Sequence, residues 1–319
     1  MDTQILREAF PPAATWTAQD VPDMTGKVCA VTGGYGGVGY HTTKALLARG
    51  AKVYVLARSE SKFQSAIQRL AAENPPIVAR PHFIPLDLAS RTSPLDAARD
   101  LASRESRLDV LFCNAGVMVP PSGSLTDEGY DLQWATNVMG HWILTTALIP
   151  LLENVYDASG RAQKARVVHT SSSGHRFAPR GAVDWESLKP EGAGPPPKLG
   201  NWALYGQSKI GNILVANELD RRHGAKIIST SCNPGNLQTD LPRHLKQSIF
   251  IRLVGFIEPL LTYPAHLGAL TQLYLGTAPD VAGGAYGIPW ARIGDPREDA
   301  KDPETARKVW EWLERECRV

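Results

Sequence analysis

Cysteine is scarce in this sequence and carries no pattern. The four residues Cys29, Cys113, Cys232 and Cys317 are scattered over 319 positions, and no two make a C-x-x-C pair. Neither a zinc site nor a disulfide framework is therefore expected, and Cys29 and Cys113 read as small core residues. No Asn stands in an N-x-Ser/Thr sequon. Charge of one sign is lacking too. Lys plus Arg number 34 and Asp plus Glu 32, a formal charge of +2. That balance argues against a nucleic-acid binder and against broad electrostatic capture by an anionic membrane. The longest apolar run, around Ile249–Leu261, is broken by Arg252, Glu258 and Pro259, so no integral membrane segment is expected. Residues 1–23 hold acids, prolines and Trp16 and lack the apolar core of a secretory signal. A reducing, cytoplasmic location is the simplest expectation.

What remains is a composition near the globular average, 43% hydrophobic and 21% charged. Short β-branched runs alternate with longer helical patterns. Lys27–Thr32, Lys52–Ala57, His82–Leu86, Asp109–Cys113, Arg166–Thr170 and Lys226–Cys232 read as strands. Helices are expected over Gly37–Arg49, Glu60–Glu73, Pro94–Arg104, Glu128–Leu152 and Ala203–His223. Runs such as VLFC are apolar on both faces, as in strands covered by helices on two sides. The alternation predicts an α/β fold with a doubly wound parallel sheet. No linker composition divides it, so one domain over 25–319 with an arm at 1–24 is expected. Arg176–Asn201, rich in Pro and Gly, reads as a surface loop, and the apolar Leu241–Pro264 as a late helix.

The first strand runs into Thr32-Gly33-Gly34-Tyr35-Gly36-Gly37-Val38-Gly39 and then a helix. Glycines there permit a tight turn and close approach to a pyrophosphate, which then sits on the helix N-terminus. A ligand-free glycine turn is the bland alternative. At the end of the second strand, where an acid usually binds the ribose hydroxyls of NAD, stand Ala57 and Arg58. An Arg fork suits a 2′-phosphate, with Lys62 as a second cation; an ordinary solvated Arg is the alternative. The pattern favours NADP(H).

Tyr205 and Lys209 lie four residues apart on one face of a predicted helix. A free tyrosine titrates at about 10, too high for acid–base work near neutrality, and a nearby ammonium lowers it. A Y-x-x-x-K pair alone says little. It follows a strand running into Thr170-Ser171-Ser172-Ser173; Asn114-Ala115-Gly116 and Asn233-Pro234-Gly235 sit at or just beyond predicted strand ends, and the predicted helix Glu128–Leu152 carries Asn137. His141, His169 and His175 have no metal-ligand spacing, and no metal is expected; Trp310 and Trp312 read as packing residues.

With T-G-x-x-x-G-x-G at 32–39, Asp87-Leu88, N-A-G at 114–116, Asn137, Ser172, Tyr205, Lys209 and P-G-x-x-x-T at 234–239, the chain closely resembles the short-chain dehydrogenase/reductase family over about residues 25–290. The phrases SSSGHRF at 171–177 and YGQSKIGNILVANEL at 205–219 resemble the retinol-dehydrogenase and WW-domain-oxidoreductase branch and related fungal reductases. The resemblance implies a three-layer α/β/α Rossmann fold. It also implies hydride transfer between NADP(H) and a carbonyl or alcohol, with a catalytic set of Asn137, Ser172, Tyr205 and Lys209. Tyr205 would donate the proton and Ser172, rather than its neighbours Ser171 or Ser173, would hydrogen-bond the carbonyl. Lys209 would lower the tyrosine pKa and hold the nicotinamide ribose. Asn137 would anchor a relaying water, or else brace strand contacts.

The cofactor would touch Gly33, Tyr35, Gly37, Val38 and Gly39 at its phosphates, and Arg58 and Lys62 at its 2′-phosphate. Asp87 and Leu88 would bracket the adenine, with Asn114, Ala115 and Gly116 beside the ribose. Pro234, Gly235, Leu237 and Thr239 would meet the nicotinamide. The interval from Ser172 to Tyr205, 33 residues, is longer than in many members. An insertion there can cover the helix face on which such enzymes dimerise, so monomer or homodimer is left open. Met118, Phe177, Trp202, Leu204, Leu237, Phe250, Leu253 and Phe256 suggest a medium-to-large apolar substrate, and residues 241–264 a lid over it or a membrane-contact helix. A catalytically silent NADP-binding regulatory protein, an alkene reductase and an epimerase are the competing functions.

Overall fold

Strands β1 (Val28–Thr32), β2 (Lys52–Ala57), β4 (Val110–Cys113), β5 (Ala165–Thr170) and β6 (Ile227–Cys232) are buried along almost their whole length. Such strands persist in water only where helices cover both faces. The computed structural model describes residues 3–73, 81–188, 199–238 and 262–317. In it these strands join β3 (His82–Pro85), β9 (Tyr286–Ile288) and β10 (Arg292–Gly294) in an eight-stranded sheet ordered β10-β9-β6-β5-β4-β1-β2-β3. All pairings are parallel except β9 with β10. Val31 of β1 stands between Val55 of β2 and Phe112 of β4. Strand order reverses at that point, which is where doubly wound sheets open a crevice at their carboxyl ends.

Helices α2 (Gly37–Ala48), α3 (Glu60–Glu73) and Ala265–Thr277 cover one face of the sheet. Helix α4 (Ser93–Arg104), the long helix Leu132–Ala158 and the helix Asn201–His223 cover the other. The protein is thus a Rossmann-like α/β fold. The long helix differs from the expected Glu128–Leu152. Asp131 starts it by accepting from the amides of Gln133 and Trp134, it contains a π-turn at Ala135–Met139, and it ends at Ala158. A π-turn marks one extra residue in the helical ladder, and functional sites favour such turns. This helix is long and apolar enough to cross a membrane, but most of that apolar stretch is buried inside the fold.

Two segments depart from their expected character. Residues 176–188, expected as surface loop, contain fully buried Ala182 and Leu188 and the helical turn Trp185–Leu188. Burial of small apolar side chains, invisible in a Pro/Gly-rich composition, holds this stretch on the core; 189–198 lie outside the described residues. The arm contains helix α1 (Thr3–Ala9), whose Glu8 is buried. Strands β7 (Leu237–Gln238) and β8 (Tyr263–Pro264) pair with each other, so the chain leaves and re-enters the described structure side by side. The expected late helix over 241–264 lies almost wholly outside the described residues.

The helix Pro303–Glu316 closes the second face. Trp310 packs edge-on to Trp142 at 5.6 Å and Trp312 to Trp134 at 6.1 Å, and the Arg222 guanidinium stacks on Trp310 at 5.1 Å. The outer faces of both helices that carry Asn137 and Tyr205 are covered in this way. Replacing Trp310 with Ala removes the largest part of that cover and leaves a cavity, an expected loss of about 3–5 kcal/mol in denaturant unfolding. A midpoint unchanged from the parent protein would show the helix to be loosely attached.

Candidate active site

A cleft of about 1230 Å³ runs over the carboxyl ends of β1, β2, β4 and β5 and past the turn after β6. Gly33, Tyr35, Gly37 and Val38 line one end. The N-cap of α2 is Gly36, which offers no side-chain acceptor, so the first-turn N–H groups are left uncapped at the cleft wall. That is the donor set and helix dipole a phosphate requires. Gly39 does not line the cleft. A side chain there would come within 2.6 Å of both the Asn114 amide nitrogen and the Gly33 carbonyl, so its glycine serves the packing of helix on loop. Arg58 and Lys62 line the cleft beyond β2, are exposed, and form no ion pair among the described residues. Arg69 is a third cation at the wall, paired with Glu73 at 2.9 Å and lying over the Tyr40 ring. No acid from the β2–α3 turn lines the cleft.

Asp87 and Leu88 follow on the wall, with the Asp87 carboxylate accepting from the Ala89 amide at 3.0 Å. Asn114, Ala115 and Gly116 come next. Their conformation is fixed by Thr32, whose hydroxyl oxygen accepts from the amides of Asn114 and Ala115 at 2.9 Å each. His141 reaches the same hydroxyl through Nε2 at 2.9 Å and the Asn137 carbonyl through Nδ1 at 3.0 Å. A carbonyl only accepts, so Nδ1 carries the hydrogen and Nε2 accepts from Thr32. Burial holds the His141 pKa down at about 4, which keeps the ring neutral for this arrangement.

Ser172, Ser173 and Tyr205, beyond β5, line it further along, as do Pro234, Gly235 and Leu237, beyond the adjacent β6. The Ser172 side chain stands beside the Tyr205 ring at Gly174, where its hydroxyl acts to lower the tyrosine pKa, and it accepts from the Gly174 amide at 3.0 Å. Ser171 instead donates to the Lys209 carbonyl and is buried. The turn Ser173–Phe177 brings Ser172 to Tyr205 by direct backbone contact with the helix. A Cβ on Gly174 would sit 2.6 Å from Tyr205 Cε1, and one on Gly206 would sit 2.8 Å from the Gly174 carbonyl. His175 braces the turn. Its Nε2 accepts from the Arg297 amide at 3.0 Å, so Nδ1 donates to the Ser172 carbonyl at 2.6 Å.

Lys209 and Asn137 lie one layer beneath the cleft wall, behind Gly116. A Cβ there would be 3.4 Å from Lys209 Nζ and 3.0 Å from Asn137 Oδ1. Lys209 donates to the Thr170 carbonyl at 2.9 Å, and burial lowers its pKa to about 8. Asn137 accepts from the Val117 amide and donates to the Val117 carbonyl and to Ser208 Oγ. Its side chain therefore ties the floor of the cleft to the Tyr205 helix. Burial raises the Tyr205 pKa, and the neighbouring Ser172 hydroxyl acts in the opposite direction. The ammonium lies 5.8 Å from the ring centroid and is engaged by Thr170.

Thr239, Phe250, Leu253 and Phe256 lie outside the described residues. Met118, Phe177, Trp202 and Leu237 line the cleft, whereas Leu204 is buried away from it. Sequence reasoning missed Ile5, Ala9 and Arg69, which also line it. It set His141 and His175 aside as metal ligands and gave them no other role; among the described residues no cluster of His, Cys, Asp or Glu could hold a metal.

A family profile described as short chain dehydrogenase matches residues 27–183. A short-chain dehydrogenase/reductase of Armillaria gallica is 44% identical over 317 residues, covering 98% of this chain and 97% of its own. A crystal structure from Mycobacterium paratuberculosis is 27% identical, with a TM-score of 0.71 over 95% of this chain and 97% of that one. Pseudomonas aeruginosa RhlG, in a complex with NADP, shares the fold at 24% identity with a TM-score of 0.60, covering 83% of this chain and 94% of its own. The chain belongs to the short-chain dehydrogenase/reductase family, oxidoreductases that act on small molecules with a nicotinamide cofactor.

Substituting Gly174 with Ala tests the backbone contact that seats Tyr205. The added methyl must displace the ring, and a ten- to hundredfold loss of turnover, about 1.4–2.8 kcal/mol in the barrier, is expected. Thermal unfolding and cofactor binding should stay close to those of the parent. Unchanged turnover would mean that the turn yields without moving the tyrosine.

Proposed function

We propose that the protein is an NADP(H)-dependent oxidoreductase that interconverts a carbonyl and an alcohol on a medium-to-large apolar substrate. The observation that carries this reading is the contact of the Ser172 and Tyr205 side chains on the cleft wall, with Lys209 buried behind Gly116. Bound NADP(H) supplies or accepts the hydride. Tyr205 holds the matching proton. Its raised pKa keeps the phenol protonated at neutral pH, the state needed to protonate a carbonyl oxygen as the carbon is reduced. Ser172 accepts from the Gly174 amide, and its one hydrogen turns from Tyr205 to that oxygen when the substrate is bound. Asn137 acts through Ser208, whose hydroxyl donates to the Tyr205 carbonyl at 2.8 Å, and so positions the helix. In the reverse direction Tyr205 takes the alcohol proton back.

Arg58 and Lys62 suit a 2′-phosphate, since no acid from the β2–α3 turn lines the cleft beside them. The uncapped start of α2 suits the pyrophosphate. Met118, Leu132, Phe177 and Trp202 give the substrate end its apolar character. The Trp202 ring stands between those of Phe177 at 5.9 Å and Tyr205 at 6.4 Å, an aromatic file from the rim to the reacting group.

NADPH oxidation against a panel of apolar ketones, with Tyr205→Phe beside the parent, tests the reading. Loss of the transferable proton should lower kcat by ~10²–10⁴-fold and leave NADPH affinity within twofold. Activity retained within a few-fold excludes Tyr205 as the acid. Arg58→Asp should lower the NADPH-over-NADH ratio of kcat/KM by about ten- to a hundredfold, the worth of one charge-assisted contact. Equal use of both cofactors by the parent would overturn the NADP assignment.

Lys209 supplies a pH test. Its folded pKa is lowered to about 8, so the ammonium is present below that pH and lost above it, while Tyr205 stays protonated. If the ammonium holds the cofactor, kcat/KM for NADPH should be flat from about pH 6 to 8 and decline above about 8. A profile flat through pH 10 would remove the Lys209 charge from the mechanism.

A further inference from the structure

Helix α1 belongs to the cleft. Ile5 and Ala9, four residues apart and so on one helix face, line it together with Phe177 and Trp202. Glu8, between them on the helix, reaches into the protein, where its side chain is fully buried. It accepts from Arg176 Nη2 at 2.8 Å and from Asn233 Nδ2 at 2.7 Å. Each partner belongs to a different turn of the site. Arg176 sits in the turn that follows Ser172 and lines the cleft. Asn233 accepts from the Gly235 amide at 2.9 Å and so shapes the Pro234-Gly235 turn beyond β6. Arg292 adds a hold from the sheet edge, donating to the Arg7 carbonyl at 3.2 Å. A buried carboxylate with these partners is costly to strip of any one of them, so the contact fixes the helix in place. It also places a carboxylate against the Arg176 charge at the cleft, which suits a neutral substrate.

We propose that α1 is a fixed wall of the substrate compartment, latched by Glu8, and that Ile5 and Ala9 limit the size of the neutral apolar carbonyl compound the site takes. This inference rests on the oxidoreductase reading for the substrate class, not for the wall itself.

The experiment compares a one-ring ketone, cyclohexanone, with a four-ring steroidal ketone on the NADP⁺ complex of the full chain. Affinity is read by equilibrium dialysis and turnover separately with NADPH. Ala9→Trp, which fills space at a half-buried position, should raise the ratio of four-ring to one-ring Kd at least tenfold; Ile5→Ala should lower it about threefold. NADPH affinity serves as the control for a folded protein. A ratio within twofold of the parent in both variants overturns the wall, and so does a parent complex that binds neither ketone. A shifted ratio without reduction of any ketone upholds the wall and defeats the oxidoreductase reading instead. Glu8→Gln keeps the shape and removes the charge. Hydrogen exchange over residues 3–9 should then quicken at least tenfold, and unchanged exchange overturns the latch.

Discussion

The helix Asn201–His223 lies directly against the backbone of the turn Ser173–Phe177, with glycine on both sides of the contact. Gly206 admits the Gly174 carbonyl, and Gly174 admits the edge of the Tyr205 ring. Side chains at either place would hold turn and helix apart by the width of a methyl group, and the close approach of Ser172 to Tyr205 would be lost. The sheet, its covering helices and the bracing histidine all converge on keeping that approach. Close packing makes it possible, because neighbours cannot relax far to restore a lost contact.

The two bracing histidines share one chemistry. His141 and His175 are both buried, both held near pKa 4 by desolvation, and both donate from Nδ1 to a carbonyl while accepting at Nε2. The carbonyls belong to Asn137 and Ser172, two of the residues assigned to catalysis. A neutral imidazole spans two backbone segments with one donor and one acceptor, a reach that no shorter side chain combines with that polarity. Protonation would replace the Nε2 acceptor by a donor and break the link to Thr32 or to Arg297.

The parallel sheet was legible because its strands are apolar on both faces, and β2 and α3 begin and end where their sequence patterns do. The cleft wall was legible wherever backbone demands leave a mark, as at Gly33, Asn114 and Pro234. What escaped depends on contacts between distant segments. Glu8 drew no reading of its own within the arm, and nothing local reveals that Arg176 and Asn233 enclose it. The π-turn around Asn137 left no periodicity to detect. Strands β9 and β10, three residues each, are too short to show an alternation. The four-residue spacing fixes which helix face carries Lys209, but not that its ammonium also donates to the Thr170 carbonyl.

The helix Pro303–Glu316, which covers the outer sides of the Asn137 and Tyr205 helices, has a consequence for how the molecule is made. The ribosome delivers residues 132–223 well before residues 303–316. A nascent chain of intermediate length already contains Ser172, Tyr205 and Lys209, yet it still lacks the cover that Trp310 gives to Trp142 and Trp312 to Trp134. Apolar surface of that kind, exposed for the time needed to synthesise the intervening stretch, attracts chaperones and other unfinished chains. Yield of the folded enzyme is therefore sensitive to translation speed between these segments.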